Sequence, residues 1–207
     1  MKDEKNEDAT ESEETPVDIS SLFGDSDFKT ISIYGEIDED TGKSATLGLQ
    51  LFKESEPKSS DDDDDDDADP PRIDMIVSTE GGNVQDMFAI YDCVRDVRKN
   101  CDIHTLGIGK VMSAGILLLA SGTPGKRTVG KYCRLMMHSV KGAHFGSLKE
   151  LESDIREVRW YQEQFIKALA EETKLSYKEL KAIFRRKSDT YFDALQAVEW
   201  GIADEVV

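Results

Sequence analysis

The segment Ile73–Ile108, IDMIVSTEGGNVQDMFAIYDCVRDVRKNCDIHTLGI, predicts the fold of the whole domain. It begins with a β-branched strand over 73–78, passes through the glycine loop TEGGN into a helix over 84–98, and ends in a strand over 103–108. The helix has apolar residues at steps of three and four, which is typical of one buried face. These are Val84, Met87, Phe88, Tyr91, Val94 and Val97. Strands that alternate with helices at these lengths predict parallel βαβ crossovers and an α/β fold.

The same alternation continues on both sides of this segment. Upstream, residues 29–35 (KTISIYG) predict a strand, and residues 40–52 predict a helix whose apolar face is imperfect, formed by Leu47, Leu49, Leu51 and Phe52. Downstream, residues 113–121 (SAGILLLAS) follow the loop GIGKVM and predict a short helix that is fully buried, because they are apolar and small. Residues 132–138 (YCRLMMH) predict another strand.

A long helix is predicted over 147–172, opened by the capping box Ser147-Leu-Lys-Glu150. Its apolar stripe consists of Leu148, Leu151, Ile155, Val158, Tyr161, Phe165 and Leu169. A helix of about 25 residues is about 37 Å long. Because a compact domain of this size needs less, the helix either projects or has its stripe covered by another subunit. Ser176 and Asp193 predict the starts of two further short helices.

The composition excludes several classes of protein. The chain has 207 residues, with 43 acidic against 26 basic and a net charge of −17. Such a charge repels phosphate backbones and disfavours nucleic-acid binding. No apolar run is long enough to span a membrane, and the N-terminus is too acidic for a secretory or transit signal. The three cysteines lack a CxxC pair and indicate reduced thiols. We therefore expect a cytoplasmic protein.

The negative charge is concentrated in two segments. Residues 1–16 hold seven acids and two bases, and residues 53–74 hold eleven acids and three bases. The run Asp61–Asp67 cannot bury apolar area, and consecutive aspartates lack the alternating geometry of a calcium loop. We expect residues 1–28 and the insert at about 53–72 to be disordered, and residues 29–207 to form one domain.

Few residues are candidates for chemistry. Of the three histidines, His104 lies within a strand, His144 lies in a glycine-flanked loop, and His138 ends an apolar strand where it would point into a cleft. Ser113 starts the buried helix. It is either an N-cap or a residue at which backbone N–H groups and the positive helix end face an oxyanion. The surrounding VMSAG is not a G-x-S-x-G elbow, which disfavours an α/β-hydrolase.

The pair Gly81–Gly82 directly after strand 73–78 indicates either a plain turn or backbone that approaches another group closely. No Gly-Lys-Ser/Thr follows, so the pair is not part of a P-loop. A glycine pair, a serine at a buried helix start, a histidine after a strand and an aspartate before a final helix are far more specific together than alone.

In that order, the chain resembles the proteolytic subunits of the Clp protease, the ClpP serine peptidases, from about residue 29 onward. The matching blocks are Val77–Gly82 (VSTEGG), Gly109–Gly115 (GKVMSAG), Gly122–Arg127 (GTPGKR), Arg134–His138 (RLMMH) and Ser188–Gly201 (SDTYFDALQAVEWG). The resemblance implies a ClpP/crotonase-type superhelix of βαβ units, in which helix 147–172 is the projecting handle.

The resemblance also implies roles for individual residues. Ser113 matches the nucleophile, His138 the general base and Asp189 the carboxylate that orients the imidazole. Asp193 is a nearby competitor but fits better as a helix N-cap. The implied oxyanion donors are the backbone N–H groups of Gly82 and Ala114.

By the same resemblance, an extended substrate adds a strand between the backbone around Gly82–Val84 and that around Lys141. The implied assembly is a homo-oligomer of two stacked seven-membered rings, fed by a ring-shaped ATPase unfoldase. Polypeptides are the implied substrates, and no cofactor or metal is implied.

Some features depart from the family. Its usual Ser-Pro-Gly-Gly is Ser-Thr-Glu-Gly-Gly here, so Glu80 replaces proline beside the expected oxyanion hole, where it would either oppose negative charge or point outward. The acidic insert replaces a shorter connection, and the axial segment that helps to dock the ATPase is not recognisable in residues 1–28.

Four alternatives remain open from the sequence. One is a specialised processing protease of the viral type that acts without an ATPase, and another is a catalytically silent ring subunit. A crotonase-type acyl-CoA enzyme shares the fold but would not need Ser113, His138 and Asp189 together. A Ser–Lys dyad lacks a clear lysine base.

Overall fold

The computed structural model describes residues 29–54, 71–142 and 145–207. Within them, seven strands and six helices follow one another along the chain. The strands are β1 (Thr30–Ile37), β2 (Arg72–Gly82), β3 (Asp102–Met112), β4 (Arg127–Val129), β5 (Arg134–Met137), β6 (Thr190–Phe192) and β7 (Glu205–Val206). The helices are α1 (Glu39–Glu54), α2 (Val84–Val97), α3 (Ala114–Ala120), α4 (Leu148–Glu172), α5 (Tyr177–Phe184) and α6 (Ala194–Glu199).

The two acidic segments that we predicted to be disordered fall largely outside these residues. Residues 1–28 and 55–70 are not described, and only the ends of the predicted insert are: α1 continues to Glu54, and β2 begins at Arg72.

The sheet is parallel along the order β1-β2-β3-β4-β7, which confirms the predicted α/β class. On the side opposite β2, strand β3 has two partners: its residues Thr105–Gly107 pair with β4, and its residues Lys110–Met112 pair with β5. Strand β6 pairs antiparallel with β5. This fork places the ends of β3, β5 and β6 around one point.

Two segments that we predicted to be loops are strand instead. Residues of TEGGN extend β2 to Gly82, because Gly81 and Gly82 pair with the end of β1. Residues of GIGKVM extend β3 to Met112, because β5 pairs with them. Strand β5 itself begins two residues later than predicted, since the Cys133 N–H donates to the Gly130 carbonyl in a turn. Such pairings join residues far apart in sequence, so local patterns do not show them.

The interior is formed where helices pack on the sheet. All seven residues of α3 are buried, as predicted. The predicted face of α1 is wrong in part: Leu49 is buried, but Leu47 and Leu51 are exposed. Leucines two residues apart cannot share one face of a helix. The buried face instead uses small residues, Gly42 and Ala45, together with Leu49.

Helix α4 has 25 residues and begins at the predicted capping box of Ser147 and Glu150. Its fully buried residues, Phe165, Ile166, Ala168 and Leu169, all lie in its C-terminal half. Leu148 and Ile155 are 72% and 49% exposed, so the N-terminal half projects from the core. Within the part of the chain that the structure describes, neither α4 nor any other helix has the length and apolarity to cross a membrane.

Candidate active site

Ser113 lies at the junction between β3 and α3. Its φ of 54° is positive, which among the described non-glycine residues is found only here. A non-glycine residue in this backbone conformation is strained, and the conformation persists only where the surroundings impose it. Although Ser113 precedes the first residue of α3, its side chain forms no capping hydrogen bond. Ser113 thus occupies the N-cap position, as predicted, but its side chain does not cap the helix, and its hydroxyl serves another contact.

That contact is with His138, which follows β5. Met112 of β3 pairs with Met136 of β5, and the Ser113 N–H donates to the Met136 carbonyl at 2.8 Å. The carboxyl ends of parallel strands lie at the same edge of a sheet, so the side chains of Ser113 and His138 meet there. Ser113 Oγ lies 2.9 Å from His138 Nε2, a distance suited to proton transfer.

The second ring nitrogen of His138, Nδ1, has different surroundings. His138 Nδ1 is buried and has no hydrogen-bond partner within the described residues. Strand pairing places Asp189 nearby, because Met137 lies opposite Thr190. However, Asp189 Oδ1 lies 3.8 Å from Lys141 Nζ. The structure thus brings Ser113 and His138 into contact, whereas Asp189 is a neighbour that forms no hydrogen bond with the ring.

Burial lowers the pKa of His138, and the nearby Lys141 cation lowers it further. The Asp189 carboxylate and the backbone at Ser139 oppose this shift. A lowered pKa keeps the imidazole neutral at neutral pH, and only the neutral ring can accept a proton from the Ser113 hydroxyl.

The glycine pair of β2 packs directly against the serine. Gly81 has a φ of 97°, and a Cβ added there would lie 2.6 Å from Ser113 Cβ and 3.1 Å from the Ala114 nitrogen. A Cβ on Gly82 would lie 2.2 Å from the Ile37 carbonyl oxygen. The close-approach interpretation of this pair is confirmed, because any side chain at either position would collide with backbone or with Ser113.

Sequence reasoning missed Thr79, which holds the glycine pair in place. Thr79 is fully buried, its hydroxyl donates to the Gly35 carbonyl, and it accepts from the Gly81 N–H at 2.9 Å. A Cβ on Gly115 would lie 2.4 Å from Thr79 Cγ2, which explains the glycine that follows Ser113-Ala114. The available signal was a polar residue at an inward position of an otherwise apolar strand.

These residues open into a cleft of about 860 Å³ between the end of the sheet and α4. Six of the seven residues to which the resemblance assigns a catalytic or substrate-binding role line it: Gly82, Val84, Ser113, Ala114, His138 and Lys141. Asp189 is not among the lining residues. Buried Met87 and Phe165 lie on the helix side of the cleft, together with Val158 and Tyr161.

Glu80, which replaces the proline usual in the family, forms an ion pair on the rim of this cleft. Its Oε2 lies 2.6 Å from Lys110 Nζ on the neighbouring strand β3, and both side chains are about half exposed. The hydrogen bond from Lys110 lowers the pKa of Glu80, which keeps the carboxylate ionised. Its charge is therefore balanced by a cation beside the candidate oxyanion site.

Neither the three cysteines nor the other described histidine, His104, lines this site. The three cysteines are buried and free, and burial raises the pKa of Cys133 to about 11, so its thiol is protonated. His104 lies within β3, as predicted, and is partly exposed, and His144 lies outside the described residues. Across residues 29–54, 71–142 and 145–207, no three His, Cys, Asp or Glu side chains are grouped to hold a metal ion.

A serine hydroxyl on a strained strand-to-helix turn, hydrogen-bonded to a partly buried, neutral histidine at the mouth of a cleft, is typical of serine hydrolases. The sequence model of the Clp protease family matches residues 26–207. Among similar proteins, the ATP-dependent Clp protease proteolytic subunit 1 of Prochlorococcus marinus (strain MIT 9312) is 33% identical over 163 residues, which cover 78% of this chain and 82% of that protein.

Two further relatives are named ATP-dependent Clp protease proteolytic subunit 2. That of Frankia casuarinae is 31% identical over 170 residues, covering 82% of this chain and 71% of the relative. That of Chlamydia trachomatis serovar D is 31% identical over 140 residues, covering 67% of each chain. The chain belongs to the Clp protease family, and it is a Clp-type serine peptidase.

Proposed function

We propose that this protein is an endopeptidase in which Ser113 is the nucleophile, His138 the general base and Asp189 the residue that orients the imidazole. The observation that carries the proposal is the 2.9 Å contact between Ser113 Oγ and His138 Nε2 at the mouth of the cleft. The positive φ of Ser113 supports it, because strained backbone is concentrated at active sites.

In the proposed reaction, His138 Nε2 takes the proton of the Ser113 hydroxyl as Oγ attacks the peptide carbonyl carbon. The carbonyl oxygen becomes an oxyanion, which accepts hydrogen bonds from the backbone N–H groups of Gly82 and Ala114. His138 then protonates the leaving amine, and an acyl-enzyme remains on Ser113. Water then attacks this ester while His138 takes one of its protons. His138 returns that proton to Ser113 Oγ as the carboxylic acid product leaves.

Asp189 must turn from Lys141 towards His138 Nδ1 to complete this machinery. A hydrogen bond from the Nδ1–H to the carboxylate would satisfy a buried donor and stabilise the imidazolium that forms after proton transfer. We propose that substrate lies extended beside Gly82, Val84 and Lys141, all of which line the cleft, and pairs with their backbone.

We further propose that the protein assembles into paired rings and receives substrates from an ATPase. The exposed apolar residues on the projecting half of α4, Leu148, Ile155 and Trp160, support coverage of this helix by another subunit. The names of the relatives, which are ATP-dependent proteolytic subunits, support an ATPase partner.

The unpaired Nδ1 of His138 favours a second candidate, a ring subunit without activity of its own. The deciding experiment is intact-mass analysis of the assembled oligomer after treatment with a fluorophosphonate. We expect one adduct on the wild type and on Ser32→Ala, an exposed serine of β1, and none on Ser113→Ala. An unlabelled wild-type oligomer would favour the silent subunit.

A further inference from the structure

The cleft that contains Ser113 and His138 is acidic. Four of its lining residues are carboxylates, and one is a cation. The carboxylates are Glu36 at the end of β1, Glu80 of β2, and Asp154 and Glu157 of α4, and the cation is Lys141. Peptide that enters the cleft therefore meets negative charge on both walls.

Part of this charge is already balanced. Glu80 pairs with Lys110, and Lys141 lies within 4 Å of Asp189. Glu36 and Glu157 are both exposed, and neither has an ion-pair partner in the described part of the chain. Two carboxylates on opposite walls are thus available to a cation on the substrate.

The charged residues of α4 that line the cleft are all acidic. Glu157 lines the cleft, whereas its neighbours Arg156 and Arg159 do not. Successive helical residues point about 100° apart, and the face of α4 that lines the cleft carries Asp154 and Glu157 and none of the helix's bases. The helix side of the cleft also offers apolar surface, since Val158 and Tyr161 lie next to buried Phe165.

An apolar wall with an anionic rim suits a side chain that has an aliphatic stem and a cationic end. Lysine and arginine have this form, since their methylenes pack on apolar surface while the charge stays at the edge. We infer that the cleft selects polypeptide segments with a lysine or arginine next to the scissile bond. This inference rests on the proposed function, because it assigns the substrate class of the same site.

The test uses internally quenched peptides that differ only at the residues flanking the cleaved bond, with lysine, norleucine or glutamate there. Each exposed ion pair contributes little, so we expect kcat/KM for the best lysine peptide to exceed that of its norleucine counterpart about 5- to 10-fold. Salt screens exposed charges, and raising NaCl from about 50 to about 500 mM should remove most of this preference.

Glu157→Gln should reduce the preference about 2- to 3-fold, and Glu157→Lys should shift it towards glutamate peptides. Glu152→Gln is the matched control, because Glu152 is exposed on the same helix but does not line the cleft. Thermal unfolding of each variant shows whether the fold is retained.

Equal kcat/KM for lysine and norleucine peptides, or an equal effect of Glu152→Gln and Glu157→Gln, would overturn the inference. If Ser113 still reacts with the fluorophosphonate, the proposed function survives that result. If Ser113 does not react and no peptide is cleaved, the proposed function and the inference fail together.

Discussion

The two nitrogens of His138 have contrasting surroundings. Nε2 is 2.9 Å from the Ser113 hydroxyl, whereas Nδ1 is buried without a partner within the described residues. The first contact is imposed by the backbone, since the pairing of β3 with β5 fixes both residues. The second depends on a side chain, because Asp189, which directly precedes β6, has two possible partners. The proposed nucleophile and base are thus positioned by the sheet, whereas the position of the proposed orienting carboxylate depends on its side chain.

The magnitudes indicate which partner Asp189 prefers. Its contact with Lys141 is 3.8 Å long, and the lysine side chain is 68% exposed. Exposed ion pairs contribute about 0.2–1 kcal/mol, whereas a buried unsatisfied donor costs about 1–3 kcal/mol. From these magnitudes we expect Asp189 to turn towards His138 Nδ1 where the backbone before β6 permits it.

Asp189→Asn tests whether the Asp189 carboxylate orients the imidazole of His138 during catalysis. If Asp189 turns to His138 during catalysis, the amide should lower kcat by a factor on the order of 10⁴, because it carries no charge to stabilise the imidazolium and its NH2 group favours the wrong tautomer. Steady-state kinetics on a peptide substrate measures this loss, and KM should change little.

Asp193→Asn is the control for this change. Asp193 caps α6 by accepting from the Gln196 N–H at 2.9 Å, and asparagine caps helices equally well. Its activity should match the wild type. A loss of less than tenfold in Asp189→Asn would show that Asp189 stays with Lys141 and that Ser113 and His138 act as a pair.

The same contrast explains what the sequence could predict. Helix starts at Ser147, Ser176 and Asp193 were predicted correctly, because capping depends on residues within one turn. The contact between Ser113 and His138 was implied by the resemblance to the ClpP peptidases, and the pairing of β3 with β5 fixes it. These features are local, or are fixed by the backbone once the fold is known.

Other features depend on partners distant in sequence, and they were missed. The ends of β2 and β3 are strand because β1 and β5 pair with them, which no local pattern shows. The ion pair of Glu80 with Lys110 and the position of the Asp189 side chain depend on which charges lie nearby after folding. Sequence therefore predicted which residues meet at the site better than it predicted how their side chains pair.

A second prediction concerns the position of Ser113, which the backbone of the sheet fixes. Gly81→Ala should lower kcat/KM about 10²-fold, because the added methyl would lie 2.6 Å from Ser113 Cβ and displace the nucleophile. Gly125→Ala is the control, since Gly125 has a φ of 86° but nothing within 4 Å of the added Cβ. Equal losses in the two variants would attribute the effect to backbone strain and not to contact with Ser113.

The smallest expected effect concerns the surroundings of His138 Nδ1, and Lys141→Met tests how Lys141 acts on them. Lys141 lowers the pKa of His138 and contacts Asp189, so its removal should raise that pKa on both counts. His138 must be neutral to accept the Ser113 proton, so kcat/KM falls as the pH drops through this pKa. The acid limb of the pH profile should therefore move to higher pH in the variant.

At about pH 6 the variant should be a few-fold slower than the wild type, and at about pH 8 it should be at least as fast, because Asp189 is then released to His138. Lys178→Met, which removes an exposed cation on α5, should leave the profile unchanged. An acid limb that stays in place, or moves to lower pH, would mean that Lys141 does not act on His138. The two sides of the imidazole would then be independent, and Asp189 would be held away from Nδ1 by the backbone of β6 instead of by a competing charge.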